Sequence, residues 1–364
     1  MNTHTITWRD RRLIDLLGIT HPIIQAPMAG SSTPEMAAAS AHAGALGSLG
    51  CAMMTGEAVT ALSAKMAGLT NHGVNYNFFC HTPPVDNATA NDTARQLLKP
   101  YFDGLELGEV PEAKASNFPF DQAMCDVMLA IKPKVVSFHF GLPDASMVDE
   151  LKQAGIVVMS SATTAEEARY LEAHGADVII AQGWEAGGHR GFFLSDHDKA
   201  VGTMALVPQV VDAVSVPVVA AGGIADGRGI AAALMLGAAG VQIGTAFLTC
   251  VETGVPPVHH AELMRSDGSD TQTTTVFSGR PARGITNRYM SELAKHQEQL
   301  PDFPIMNTLT GPLRKSSAAS GSPDFVALWS GQAAALNREA SVNDLVEKLV
   351  QETIDQFGSR GVSG

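Results

Sequence analysis

The chain is short of cysteine and of positive charge. Its four cysteines (Cys51, Cys80, Cys125 and Cys250) lie far apart, with no CxxC pair. That spacing excludes a disulfide scaffold and a cysteine-ligated zinc site, and it suits a reducing, cytoplasmic setting. Lysine and arginine number 24 against 37 aspartates and glutamates, a net charge of −13. Phosphate-backbone binding needs clustered Lys and Arg, and no such cluster is present, so nucleic acid is not an expected partner. No apolar run reaches the ~18 residues of a membrane span. The opening MNTHTITWRDRRL lacks the apolar core of a signal peptide. Metal-ligand spacings such as HExxH are missing, so no metal is expected, and no nucleophile–base–orienter triad suggests itself.

What is present is apolar: 45% hydrophobic residues against 17% charged, the balance of a compact globular enzyme. The fifteen methionines read as core filler. Short β-branched runs recur at 22–29, 45–50, 73–79, 135–141, 156–162, 177–183, 217–223 and 240–248. Their unbroken hydrophobicity predicts strands buried on both faces, as in a parallel sheet. Ala-rich helical patterns alternate with them, several ending at Gly. Eight such units by residue 255 predict an α/β fold, a (β/α)8 TIM barrel. An open doubly wound sheet is the weaker alternative, because no GxGxxG follows the first strand. The third unit carries an excursion at about 80–131. Residues 256–364 read as helices joined by Gly/Pro/Ser-rich links, a smaller, mainly helical lateral domain beside the barrel domain of residues 1–255.

In such a barrel the chemistry sits at the C-terminal ends of the strands. Those ends carry Met28, Asn75, His139, the stretch Gln182–His189, the pair Gly222 and Gly223, and Gly244 with Thr245. Gly-bearing ends on the last two strands, one of them before a helix start, suit a phosphate group. A phosphate-bearing organic cofactor is therefore the economical expectation.

QAPMAGSSTPEMAAAS, NYNFF, HFGLP, GWEAGGHRG, AAGGIADGRG and QIGTAF, in this order, resemble the class I nitronate monooxygenases, formerly 2-nitropropane dioxygenases. EAGGHRG after the sixth strand is the most specific of them. The resemblance implies FMN in a (β/α)8 barrel with a lateral domain. It implies oxidation of alkyl nitronates, such as propionate 3-nitronate, by O2 through a flavosemiquinone, giving a carbonyl compound with nitrite and nitrate. Carried over by position, Gly222, Gly223, Gly244 and Thr245 would hold the phosphate. Met28, Asn75, Gln182, Gly187, Gly188 and Gln242 would contact the rest of FMN, and His189 would be the catalytic histidine. The imidazole chemistry agrees: it can pair with a nitronate as the cation, or take the α-proton of a neutral nitroalkane.

His139, also at a strand end, is expected to line the pocket, and Tyr289 to reach it from the annex. Arg190 is expected to pair with Glu185, and His259 with His260 to be structural. The family often carries a lysine in the segment matching TLTGPLR. Gly311 or a neighbour stands there in this chain, so no substrate-carboxylate contact is assigned. An NADH:quinone reductase or enoyl-reductase-like FMN barrel is the rival enzyme, and a non-catalytic phosphate-ligand barrel the rival from another class. The partners are a small-molecule nitronate and O2, with a monomer or homodimer expected.

Overall fold

The structure, a computed structural model, describes residues 8–115 and 118–359. The outer limits of the two expected domains, and two residues of the expected excursion, lie outside them. The strands are β1 (Ile23–Gln25), β2 (Gly47–Gly50), β3 (Val74–Phe79), β4 (Val135–His139), β5 (Val157–Ala162) and β6 (Val178–Gln182). They continue with β7 (Gly188–His189), β8 (Val218–Ala221), β9 (Gly240–Ile243), β10 (Thr271–Thr274) and β11 (Ala282–Ile285). Eight of them form one parallel sheet in the order β1-β9-β8-β6-β5-β4-β3-β2. Leu46 closes it: its N–H donates to the Ile23 carbonyl at 2.9 Å, and its carbonyl accepts from Gln25 N–H at 2.9 Å. The result is the (β/α)8 barrel that the strand rhythm predicts.

Every residue of β5, β6 and β8 is buried, because alternate side chains face the barrel interior and the helix ring. Ile24, Leu46, Val135, Met159, Val178, Ile180 and Val219 fill the interior, and Leu13 and Leu17 of the short helix Arg12–Leu17 pack against them. Ile23, Ile179, Ala220 and Val241 point the other way, onto the helices.

Residues beyond 256 do not form one lateral unit. The last helix, Val342–Ser359, joins the barrel: Val342, Leu345, Val346, Leu349 and Val350 share a core with Met36, Ile230 and Ala233. The Gly227 N–H that opens the neighbouring helix donates to Glu352 Oε2 at 3.0 Å. The chain therefore leaves the barrel after β9 and returns to complete its outer ring. The lateral body is built from this insertion and the earlier excursion together. Ala94, Leu98 and Phe102 of the helix Ala88–Gly104 pack with Tyr289, Met306, Leu309 and Leu313. It is also not purely helical. β10 and β11 form an antiparallel hairpin, and β11 pairs with β7, which comes from the loop after β6.

Leu349 is fully buried on the barrel side of the last helix. Leu349→Ala should cost about 2–5 kcal/mol of stability, measured as a lowered urea midpoint. A variant as stable as the parent would show that this helix is not part of the core.

Candidate functional site

A cavity of about 1050 Å3 opens over the C-terminal ends of the strands. Its wall includes Met28, His139, Gln182, Gly187, Gly188, His189, Gly222, Gly223, Gln242, Gly244 and Thr245. Two expected residues are elsewhere. Asn75 is fully buried lower in β3, donating to Ser48 Oγ at 3.1 Å, and Asn77, two residues further along the same face, lines the cavity instead. Tyr289 lies in the lateral core, its hydroxyl donating to the Val276 carbonyl at 3.1 Å. A tyrosine that packs against Tyr101, Phe277 and Phe325 has no face left for the cavity.

The end of β8 requires glycine. Gly222 and Gly223 have φ of 106° and 71°, a left-handed pair that side chains rarely adopt. Next to them, the helix Gly227–Met235 is capped by Asp226, which accepts from Arg228 N–H at 3.0 Å and Gly229 N–H at 3.1 Å. Across the gap, Thr245 Oγ1 accepts from the Gly331 N–H at 2.9 Å. Gln242 Oε1, on the wall between them, is buried without a hydrogen-bond partner. An orphaned acceptor beside a glycine cradle fits a ligand bearing hydroxyl or N–H donors and a phosphate.

The loop after β6 is clamped from both sides. His189's carbonyl accepts from Gln182 Nε2 at 2.9 Å and contacts His139 Nε2 at 3.1 Å. Gln182 Oε1 in turn accepts from Gly191 N–H at 2.8 Å. Gly191 has to be glycine, since a Cβ there would sit 2.7 Å from the His139 ring. Arg190 pairs with Asp198 and not, as expected, with Glu185: the Nε–Oδ2 distance is 2.6 Å and the arginine is fully buried. Its Nη1 donates to the Gly183 carbonyl at 2.6 Å, bracing the loop internally. Glu185 is already committed, accepting from the N–H and hydroxyl of Thr203.

The His189 ring stands among aromatics. Phe79, Phe303, Trp329 and Phe140 have ring centres 6.0, 5.5, 5.7 and 6.1 Å away. Burial pushes His189 down to about 3, helped by His139, Arg280 and Arg314, so the ring is neutral at physiological pH. Burial does the same to His139, to about 3. His259, whose ring contacts the Trp329 carbonyl, is lowered to about 4. Two guanidinium groups lie in the same region. Arg280 stacks over Phe140 at 4.0 Å and donates to the Phe192 carbonyl, and burial lowers it to about 10. Arg314 lies on the cavity wall, its Nη2 donating to Asn307 Oδ1 at 2.7 Å while its Nε has no partner. Neither arginine forms a salt bridge with a carboxylate among the described residues.

The family profile described as nitronate monooxygenase matches residues 10–352. The chain belongs to the nitronate monooxygenase family. It is 44% identical to the nitronate monooxygenase of Pseudomonas aeruginosa over 347 residues, covering 94% of this chain and 98% of that one. Among solved structures, a nitroalkane oxidase from Streptomyces ansochromogenes superposes with a TM-score of 0.88 at 38% identity, over 96% and 99% of the two chains. FabK from Thermotoga maritima gives 0.76 at 29% identity, over 97% and 98%. The chain is thus an oxidoreductase of the nitronate monooxygenase family on a TIM-barrel frame.

For this nitronate monooxygenase family member, the residues that sequence reasoning passes over are the aromatic walls and the cations. Gly311 does line the cavity, and the same helix, Ile305–Ala319, adds Asn307, Arg314 and Lys315. Their spacing places them on one helix face, a signal legible in TLTGPLRK once the helix is known. Among the described residues, no helix is long and apolar enough to cross a membrane.

These three lowered histidines tie stability to pH, and His21, which burial also lowers, acts in the same direction. Each binds no proton when folded yet one when unfolded, between its folded value and the ordinary 6.5. The folded state is therefore favoured above 6.5 and loses stability as the pH falls toward 4, by about 1.4 kcal/mol per pH unit for each histidine. Denaturant titrations at pH 7 and pH 5 should show a clear drop in midpoint. Equal midpoints would contradict the neutral, buried state of these rings.

Proposed function

We propose that the chain uses bound FMN and O2 to oxidise alkyl nitronates, propionate 3-nitronate among them, to carbonyl compounds with nitrite and nitrate. The observation that carries this reading is a neutral imidazole, His189, on a wall that also holds the Arg314 guanidinium, with Arg280 behind it. Such a wall attracts an anion and can still accept a proton. A nitronate is a small anion, and its parent nitroalkane is a weak carbon acid.

The residues present fit FMN. Gly222, Gly223, Gly244 and Thr245 would take its phosphate, and Met28, Gln182, Gly187, Gly188 and Gln242 would meet the ribityl and ring. FMN, when bound, supplies the electron acceptor and the site of reaction with O2. The protein's own part is electrostatic and steric. His189 removes the α-proton of a nitroalkane, or takes up a proton when a nitronate binds, so that an imidazolium faces the anion. Arg314 offers its guanidinium to the anion, and desolvation strengthens that contact. Phe79, Phe303 and Trp329 keep water from the reacting carbon. The separated, unpaired cysteines fit a cytoplasmic enzyme.

His189→Asn should keep bound flavin while nitronate turnover falls by about 10²–10⁴, followed as oxygen consumption with propionate 3-nitronate. Unchanged turnover would remove His189 from the reaction. Arg314→Met should raise KM for the same anion about 10- to 100-fold with a smaller change in kcat, the worth of a charged hydrogen bond; an unaltered KM would take Arg314 out of substrate binding. Rapid anaerobic bleaching of the flavin by NADH, with no response to nitronate, would favour the reductase reading instead.

A further inference from the structure

We infer that the reacting atom of His189 is Nδ1, and that Ser278, from the β10–β11 turn of the lateral body, fixes it by holding Nε2 in the N–H form. The inference rests on the reading of His189 as the proton acceptor, but its first test does not.

Ser278 is buried, and its hydroxyl has three neighbours. His189 Nε2 lies at 2.9 Å, the Arg280 carbonyl at 3.1 Å and the Arg280 N–H at 3.3 Å. The carbonyl can only accept and the amide can only donate. A hydroxyl has one proton and two lone pairs. All three contacts are satisfied together only if Ser278 gives its proton to the Arg280 carbonyl and accepts from both the Arg280 amide and His189 Nε2–H. The opposite assignment, with the serine donating to Nε2, leaves the carbonyl without its donor.

A neutral imidazole with its proton on Nε2 has its lone pair on Nδ1. That nitrogen makes no hydrogen bond among the described residues, and it is not among the atoms sealed from solvent. His189 lines the cavity, so Nδ1 is the nitrogen left for a ligand. His139 differs. Its Nε2 faces the His189 carbonyl at 3.1 Å, which can only accept, so Nε2 carries the proton and Nδ1 accepts from Ser161 Oγ at 2.6 Å. Both of its nitrogens are occupied, so of these two rings His189 is the one that offers a free base. Ser278 is a positioning residue: it touches no reacting atom.

The first test is a long-range proton–nitrogen NMR spectrum of the FMN-loaded enzyme with 15N-labelled histidine, His189 being assigned by its absence in His189→Asn. The expected spectrum shows Nδ1 as the unprotonated ring nitrogen and Nε2 as the protonated one. The reverse pattern would overturn the proposal whatever the enzyme's substrate. The second test is turnover of neutral nitroethane, which needs proton removal. Ser278→Ala should lower kcat/KM about tenfold, the scale of one lost hydrogen bond, and mix the two tautomers in the spectrum. Ser278→Thr, which keeps the hydroxyl, should restore both. If Ser278→Ala leaves the tautomer and the rate unchanged, the serine does not position the ring. A wild-type enzyme with the expected tautomer but no nitroalkane or nitronate turnover would sink the functional reading alone.

Discussion

The site depends on one short backbone pairing. β7 is only Gly188–His189, and it pairs with Ala282 and Arg283 of β11. A two-residue strand has little stability of its own. Here it is the seam along which the barrel and the lateral body meet, and the histidine lies within it. The barrel side clamps the His189 carbonyl through Gln182 and His139. The lateral side supplies Ser278 against the ring and Phe303 and Trp329 around it. Neither half alone fixes both the backbone and the side chain. The part of the lateral body that follows β9 is anchored to the barrel at both ends, by β9 and by the last helix, and pairs with the β6 loop between them.

The electrostatics follow from the same packing. Bringing two histidines and two arginines into an apolar wall disfavours every extra positive charge, so the imidazoles yield and the guanidiniums remain charged. The region therefore keeps fixed cations that make no salt bridge with a carboxylate among the described residues, beside an imidazole that is neutral at physiological pH. Binding an anion reverses the local field and makes protonation of His189 favourable. Proton affinity is thus coupled to occupancy of the site, a property that suits the proposed role of His189, accepting a proton and then facing the resulting negative charge.

The barrel was legible because its signal is repeated: eight buried runs with intervening Ala-rich helices leave few folds open. The strand-end glycines were legible for a similar reason, since Gly222 and Gly223 adopt conformations other residues avoid. Depth along a strand was not. Asn75 and Asn77 point to the same side of β3, and only the height of the cavity floor decides which one meets a ligand. Tyr289 and Trp329 show the same limit in the annex: one sits in the short helix Arg288–Leu293 and the other on an irregular segment, and tertiary packing sends the first into the core and the second to the wall. Arg190 was legible as a paired residue but not its partner, because Glu185 is drawn away by the open N–H and hydroxyl of Thr203. The last helix reads from sequence as part of the lateral domain, because an amphipathic pattern reveals that a face is buried, not against what; here that face meets the barrel helices.

A (β/α)8 frame by itself selects no reaction, because many chemistries use the same ring of strand ends. The glycine-bearing ends of β8 and β9 suit a phosphate-bearing cofactor in general. What narrows this chain lies on the opposite wall, which is contributed by the β6 loop and the inserted segments. There the free imidazole nitrogen of His189, ringed by aromatics, shares its wall with cations held on separate elements. A substrate that needed a proton donor would find none in a neutral ring whose proton is committed to Ser278. A substrate that is an anion, or becomes one by losing a proton, meets both requirements of the wall at once.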